Sequence, residues 1–274
     1  MLTLVLGIII RIVSNSYLNV FQKLLTNNSE KPSVINFYSY LGLTIVSFIL
    51  NPNPIFTSEI LINIFIMGLL GALGNYFIIK ALSCGELSTL APINSYKPVV
   101  ALVIGIFLLK EIPTPIEIIA ILLIILGTFV LSNSKFLYSK SCFYRILALI
   151  FSGTEAIFIK KIILLSDITS TFIYWALSGL IFSTIFVLFS KHKLKIAKPN
   201  IKYQFGLIIL IGLMQYSTNY VFSKINVAFA LSIFQLSTIL SVFLGINIFK
   251  EKGLIRKIIA SIIMIFGAII LILS

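Results

Sequence analysis

Apolar runs of about 18 residues or more recur from one end of this chain to the other. Each is long enough to cross a hydrocarbon core roughly 30 Å thick. No other feature constrains the fold as strongly, because a segment crossing lipid must hydrogen-bond its own backbone, and an isolated segment does so only as a helix. Of the residues, 59% are hydrophobic and only 11% charged. A soluble domain would carry roughly 25% charged residues to cover its surface. The expected fold class is an all-α polytopic membrane protein with no inserted soluble domain.

The runs divide into about ten spans, approximately 2–25, 33–50, 59–81, 88–109, 115–132, 143–165, 169–189, 203–225, 228–249 and 254–273. Asn27 to Pro32, Asn51 to Pro54, Pro113 with Pro115, and Lys198 to Asn200 supply the turns between them. Most connections are short, which makes consecutive helices antiparallel neighbours. The basic stretch 191–200 is the longest surface loop. The opening segment lacks a basic n-region and a small-residue cleavage site, so it is expected to be a retained helix.

The second half repeats the first. The span 88–111 carries Asn94, Tyr96, Lys97 and Pro98 and ends in Lys110-Glu111, while 228–251 ends in Lys250-Glu251, an offset of 140 positions. Gly105 and Gly127 recur in that register as Gly245 and Gly267. Asn-Tyr-x-x-x-Lys at 75–80 returns at 219–224, and 14–23 aligns with 152–161. Several matches in order indicate a duplicated five-helix unit. An odd number of spans per unit inserts the second copy from the opposite side, giving the inverted repeats by which many secondary transporters build a midplane site.

The stretches 85–131 and 230–273 resemble the end of the EamA unit of the drug/metabolite transporter (DMT) superfamily: a small-polar helix, a terminal Lys-Glu, a short break and a glycine-bearing last helix, present twice. The resemblance spans essentially the whole chain. It implies ten transmembrane helices as two inverted repeats, 1–132 and 143–274, joined by a loop at 133–142. It also implies transport activity and a central cavity lined by helices one, four, six, eight and nine.

Three charges fall near mid-span: Arg11, Lys97 and Glu155, each ten to twelve residues from a helix end, or roughly 15–18 Å at about 1.5 Å per residue. An ionisable group at that depth costs at least about 2.5–3.5 kcal/mol on insertion scales, so it should face a cavity or a partner. Either a charged pocket, with Glu155 balancing Lys97 or Arg11 and open to a proton, or a buried ion pair locking the halves together satisfies this. Polar stripes accompany the charges: Arg11, Asn15, Asn19 and Gln22; Asn94, Lys97 and Ala101; Ser152 and Glu155; Gln215, Tyr216, Asn219 and Ser223; and Phe234, Ser237 and Ser241 flanked by Gln235 and Thr238. Asn75 and Tyr76 join them as candidates for a hydrogen bond and an amphipathic wall. Such groups also serve as interhelical hydrogen bonds.

Gly68, Gly71, Ala72 and Gly74 form a small face suited to close helix approach. Pro92 and Pro98 predict a kink near the pocket. The two Lys-Glu pairs are expected to be interfacial anchors.

Other classes find little support. The net charge of +13 sits mostly in connections, where it meets headgroups, and no nucleic-acid groove pattern appears. Cys84 and Cys142 are too few for a disulfide framework, and His192 is the only histidine, so no metal site, cofactor or catalytic centre is expected. Nucleotide-binding and hydrolase motifs are absent, so transport would run on a gradient, with protons one candidate coupling ion, or by exchange. Basic residues such as Lys31, Lys135, Lys191 and Arg256 favour the odd-numbered connections, which places both termini outside, whereas the resemblance implies cytoplasmic termini. Both orientations stay open.

The expected function is a secondary transporter moving a small polar organic solute, an amino acid or other carboxylate, as a monomer or homodimer. The Ile-, Lys-, Asn- and Phe-rich composition points to a bacterial inner membrane. Alternatives are an exporter of amphipathic drugs or lipid-linked molecules and a non-transporting scaffold.

Overall fold

The computed structural model describes residues 2–50, 54, 58–97, 99–100, 114–131, 139–225 and 227–273. Every regular element among them is helical. In chain order these are α1 (Leu2–Asn27), α2 (Pro32–Leu50), α3 (Ser58–Leu82), the single turn α4 (Leu87–Leu90), α5 (Pro115–Leu131), α6 (Lys140–Leu165), α7 (Ile168–Ser190), α8 (Ile201–Lys224), α9 (Val227–Phe234), α10 (Leu236–Phe249) and α11 (Leu254–Leu273). Local chemistry sets their ends. Asp167 caps α7 by accepting from the Thr169 and Ser170 amides at 2.8 and 2.9 Å, and Ser139 caps α6 through the Cys142 amide at 3.2 Å. Lys191 and Lys250 close α7 and α10 in the left-handed conformation.

Among the described residues, five helices are long and apolar enough to cross a membrane: Leu2–Asn27, Pro32–Leu50, Ser58–Leu82, Ile168–Ser190 and Lys198–Lys224. Large apolar side chains such as Leu6, Ile9, Ile62, Phe65, Leu188 and Phe266 point outward, as lipid contact requires. The helix α6 is as long as any, but Arg145, Glu155, Lys160 and Lys161 interrupt its apolar character. Arg145 and Glu155 face inward, while Phe143, Ile146, Ile150 and Leu164 hold the opposite face outward.

The tightest helix pairs are α3 with α6, α1 with α8, α2 with α7 and α5 with α11. Each joins the first half of the chain to the second. Exchanging the halves maps the first pair onto the second and leaves the other two unchanged. That pattern is the signature of a two-fold relation between two five-helix repeats, inverted because each repeat crosses an odd number of times. Gly127 of α5 and Gly267 of α11 show it in detail. A Cβ on Gly267 would lie 2.8 Å from the Ala120 carbonyl, and one on Gly127 would lie 3.0 Å from the Ala260 carbonyl. Both backbones therefore meet at a distance only glycine permits.

The fourth and ninth spans depart from the regular helices expected of them. After Leu90 the fourth tightens into a 3-10 turn, Ala91–Tyr96, with Pro92 in its first positions, where the missing N–H breaks the α ladder. The remainder of that span at 101–110, together with Pro98 and Glu111, lies outside the described residues. The ninth span is interrupted at Gln235, between α9 and α10. With the 140-residue offset of the repeats, the 3-10 turn corresponds to 231–236, so both helices break at the same level.

Gly267→Leu should force α5 and α11 apart and destabilise the protein by about 1–3 kcal/mol, the usual range for overpacking. Thermal melting of the detergent-purified protein would read this. Gly212→Ala, whose new Cβ would meet only the Leu43 Cδ2 at 3.3 Å, should melt close to the parent.

Candidate functional site

A chamber of about 90 Å³ lies at the level of these two breaks. Each water needs about 10–15 Å³ of such space, so the chamber holds several. Helix α1 contributes Arg11, Asn15 and Asn19; α3 contributes Gly71 and Asn75; the fourth span contributes Asn94 and Lys97. From the second half come Arg145, Ser152 and Glu155 of α6, Trp175 of α7, Gln215 and Thr218 of α8, and Phe234 of α9. A smaller recess of about 20 Å³ opens between Arg11, Asn15, Asn94 and Lys97 on one side and Gln235 and Ser237 on the other.

Broken helices leave carbonyls that a membrane interior cannot hydrate, and neighbouring side chains take them up. The Arg145 Nε donates to the Leu90 carbonyl at 3.1 Å, just before the 3-10 turn. Beside the second break, the Gln235 Nε2 donates to the Leu231 carbonyl at 2.7 Å and the Ser16 hydroxyl to the Ser237 carbonyl at 2.8 Å. Asn15 Nδ2 donates to the Ser237 hydroxyl at 3.0 Å, which ties α1 to α10 across the recess.

The charged groups are held by neutral partners. Trp175 Nε1 donates to Glu155 Oε1 at 2.6 Å, and a Cβ at Gly71 would collide with that carboxylate oxygen. The guanidinium of Arg11 sits 4.7 Å from the centroid of the Phe234 ring, and its Nε and Nη1 are buried without hydrogen-bond partners. Glu155 acts on Lys97 through its field, and among the described residues it makes no ion pair: the two salt bridges, Lys23–Glu251 and Lys257–Glu86, lie elsewhere.

Most of the residues expected at a site converge. Arg11, Asn15, Asn19, Asn75, Asn94, Lys97, Glu155 and Gln215 line the chamber, and Gln235 and Ser237 line the recess. Asn75 is also tied into a polar chain, accepting from Gln22 at 3.1 Å and donating to Asn36 at 2.6 Å. Three residues fall outside the lining. Asn219 is fully buried behind Gln215, which donates to it at 3.0 Å. Tyr216 is on the outer face of α8, its ring edge against Phe172 and its hydroxyl beside Thr169. Tyr76 packs on Phe186 in a separate surface groove. Arg145 and Trp175 were not anticipated from the sequence.

Glu251 is not an interfacial anchor. Its side chain is 4% exposed and accepts from Lys23 Nζ at 2.6 Å. Its two oxygens also receive the Leu87 and Ser88 amides, both at 2.8 Å, and the Ser88 hydroxyl. A carboxylate at the N-terminus of the fourth span thus satisfies donors no helix can pair internally. Lys257 joins the cluster through Glu86 at 2.5 Å and the Ser88 hydroxyl at 2.6 Å. Lys250 itself is exposed.

The EamA-like transporter family model matches the chain twice, over residues 2–133 and 139–273. No curated protein matches it by sequence. A crystal structure 13% identical in sequence superposes with a TM-score of 0.71, covering 99% of this chain and 96% of the other, which identifies a shared fold.

Burial alone would raise the Glu251 carboxyl, but the bonds from Lys23 and Ser88 outweigh it and hold the pKa below the ordinary 4.5. With the folded value depressed, the stabilisation is complete above the unfolded pKa and is lost as pH falls through the folded one. Thermal stability in detergent should therefore fall as the pH drops below about 4.5. Glu251→Gln should remove that component and cost about 3–5 kcal/mol at neutral pH, since it leaves the buried Lys23 without a counter-charge, held only by the Gly85 carbonyl and the Phe249 ring. A variant melting like the parent at pH 7 would show the carboxylate to be dispensable.

Proposed function

Since the chain belongs to the EamA-like transporter family and is an integral membrane protein of the DMT type, we propose that it is a secondary transporter of a small carboxylate-bearing metabolite. The observation that carries this is a chamber at the level of two interrupted helices, one from each repeat, lined by Arg11, Lys97 and Arg145. Discontinuous helices at the interface of inverted repeats are where secondary transporters bind their solutes. Lys97 and Arg11 attract the anionic group; Asn15, Asn94 and Gln215 supply hydrogen bonds; Glu155 balances charge or carries a coupling proton. Alternating access follows if the two repeats rock about the chamber. The residue composition supports a bacterial inner membrane as the setting.

The polar, basic lining weighs against an exporter of cationic amphiphiles, which would have to desolvate against like charge. It also weighs against a scaffold, since a purely structural role gives no reason to retain unpaired guanidinium donors in a membrane interior. Lys97→Ala should insert normally and abolish solute uptake or counterflow in proteoliposomes. Full transport by that variant would remove Lys97 from the mechanism. Loss of folding in both Lys97→Ala and Glu155→Gln would favour the scaffold.

A further inference from the structure

The charges of the chamber do not balance. Arg11, Lys97 and Arg145 stand in its wall against a single carboxylate, Glu155. Among the described residues no acidic side chain lies within ion-pair distance of any of the three cations. Glu155 is held by an indole, Arg145 by a carbonyl and Arg11 by an aromatic face. These neutral contacts orient the groups and leave a formal surplus of two positive charges. A surplus of that size in a low-dielectric interior favours an anionic partner.

The cations are also distributed in space. Arg11 and Lys97 line both the recess and the main chamber, whereas Arg145 lines the main chamber alone. The recess has room for about one or two waters, the scale of a single anionic head group. Arg11 and Lys97 are the two cations that the recess shares with the main chamber, which makes the recess the place for one anionic group. The main chamber, with Arg145 on its wall, takes the remainder of the solute.

We propose that the solute is an organic dianion, one anionic group seated in the recess on Arg11 and Lys97 and the second charge offset by Arg145. This holds only if the chamber is a transport site. The shared chemistry is two negative charges on a small carbon skeleton, available from a dicarboxylate or from a phosphate monoester.

The test is binding to the full-length protein in detergent at pH 7.5 in phosphate-free, low-salt buffer, by calorimetry and thermal shift. The panel pairs succinate with butyrate and adds glycerol 3-phosphate, alanine and putrescine. Succinate or glycerol 3-phosphate, whichever the site takes, should bind roughly tenfold or more tighter than butyrate. Arg145→Gln should erase that preference; if it fails to fold, Arg11→Gln should instead weaken the succinate-class ligand and butyrate alike, and unchanged binding of both would overturn the seating. Glu155→Gln, which keeps the acceptor for Trp175 while removing the negative charge, should tighten the dianion. Succinate tighter than glycerol 3-phosphate assigns a dicarboxylate, and the reverse a phosphate ester. Butyrate or alanine binding as well as succinate would overturn the charge assignment while leaving a carboxylate transporter in place. Binding of putrescine alone, or of no panel member, would overturn the anion-binding site altogether.

Discussion

A membrane interior offers no water to a backbone N–H or C=O, so each interruption of a spanning helix must be repaired from within the protein. The whole centre of this molecule depends on that rule. The fourth and ninth spans break at equivalent positions of the two repeats, and polar side chains from α1, α6 and the ninth span itself occupy the carbonyls so exposed. Arg145, Ser16 and Gln235 are buried because the breaks need them. The cavity follows from the same geometry: a helix that narrows into a 3-10 turn, or stops and restarts, does not fill the volume a continuous helix would.

At one end of the fourth span the same requirement is met by a full charge. The first turn of α4 presents unpaired amides, and Glu251 from the other repeat accepts two of them while Lys23 of α1 neutralises the carboxylate. Three separate helices are thereby joined through two oxygen atoms. The contrast with the chamber is physical. At the helix end, acid and base meet directly at 2.6 Å; in the chamber, three bases and one acid are kept apart by an indole, a carbonyl and a phenyl ring. Direct pairing makes a rigid joint, whereas the separated charges of the chamber line an open volume.

Much of this was legible in the sequence, because helical spacing converts directly into a face. Arg11, Asn15 and Asn19 recur at intervals of four, and all three reach the chamber. The repeat offset of 140 predicted that the fourth and ninth spans would play equivalent parts. What escaped were features that depend on helix ends and rotation. Arg145 sits close to the expected start of its span at 143, a position that reads as interfacial; the helix begins at Lys140 and the residue is buried. Tyr216 and Tyr76 lie one position from Gln215 and Asn75, yet about 100° around the helix they face elsewhere. Glu251 looked like a surface anchor because nothing in a single repeat reveals that the other repeat supplies the helix end it caps.

The placement of charge in α6 shows how stability and activity are divided in this fold. A helix carrying Arg145 and Glu155 would insert poorly by itself, at an order of 2.5–3.5 kcal/mol per charged group. Its partners α3 and α7 lower that cost by giving Glu155 the Trp175 N–H and a glycine-lined gap to occupy. The repair is incomplete by two charges and by the two free donors of Arg11. A sequence selected for packing alone would complete it, with apolar residues or with a second acid. On the proposal of an anionic solute, the surplus is stability withheld from the protein until that solute enters. Such a coupling would give the bound solute the leverage to favour one arrangement of the two repeats over the other.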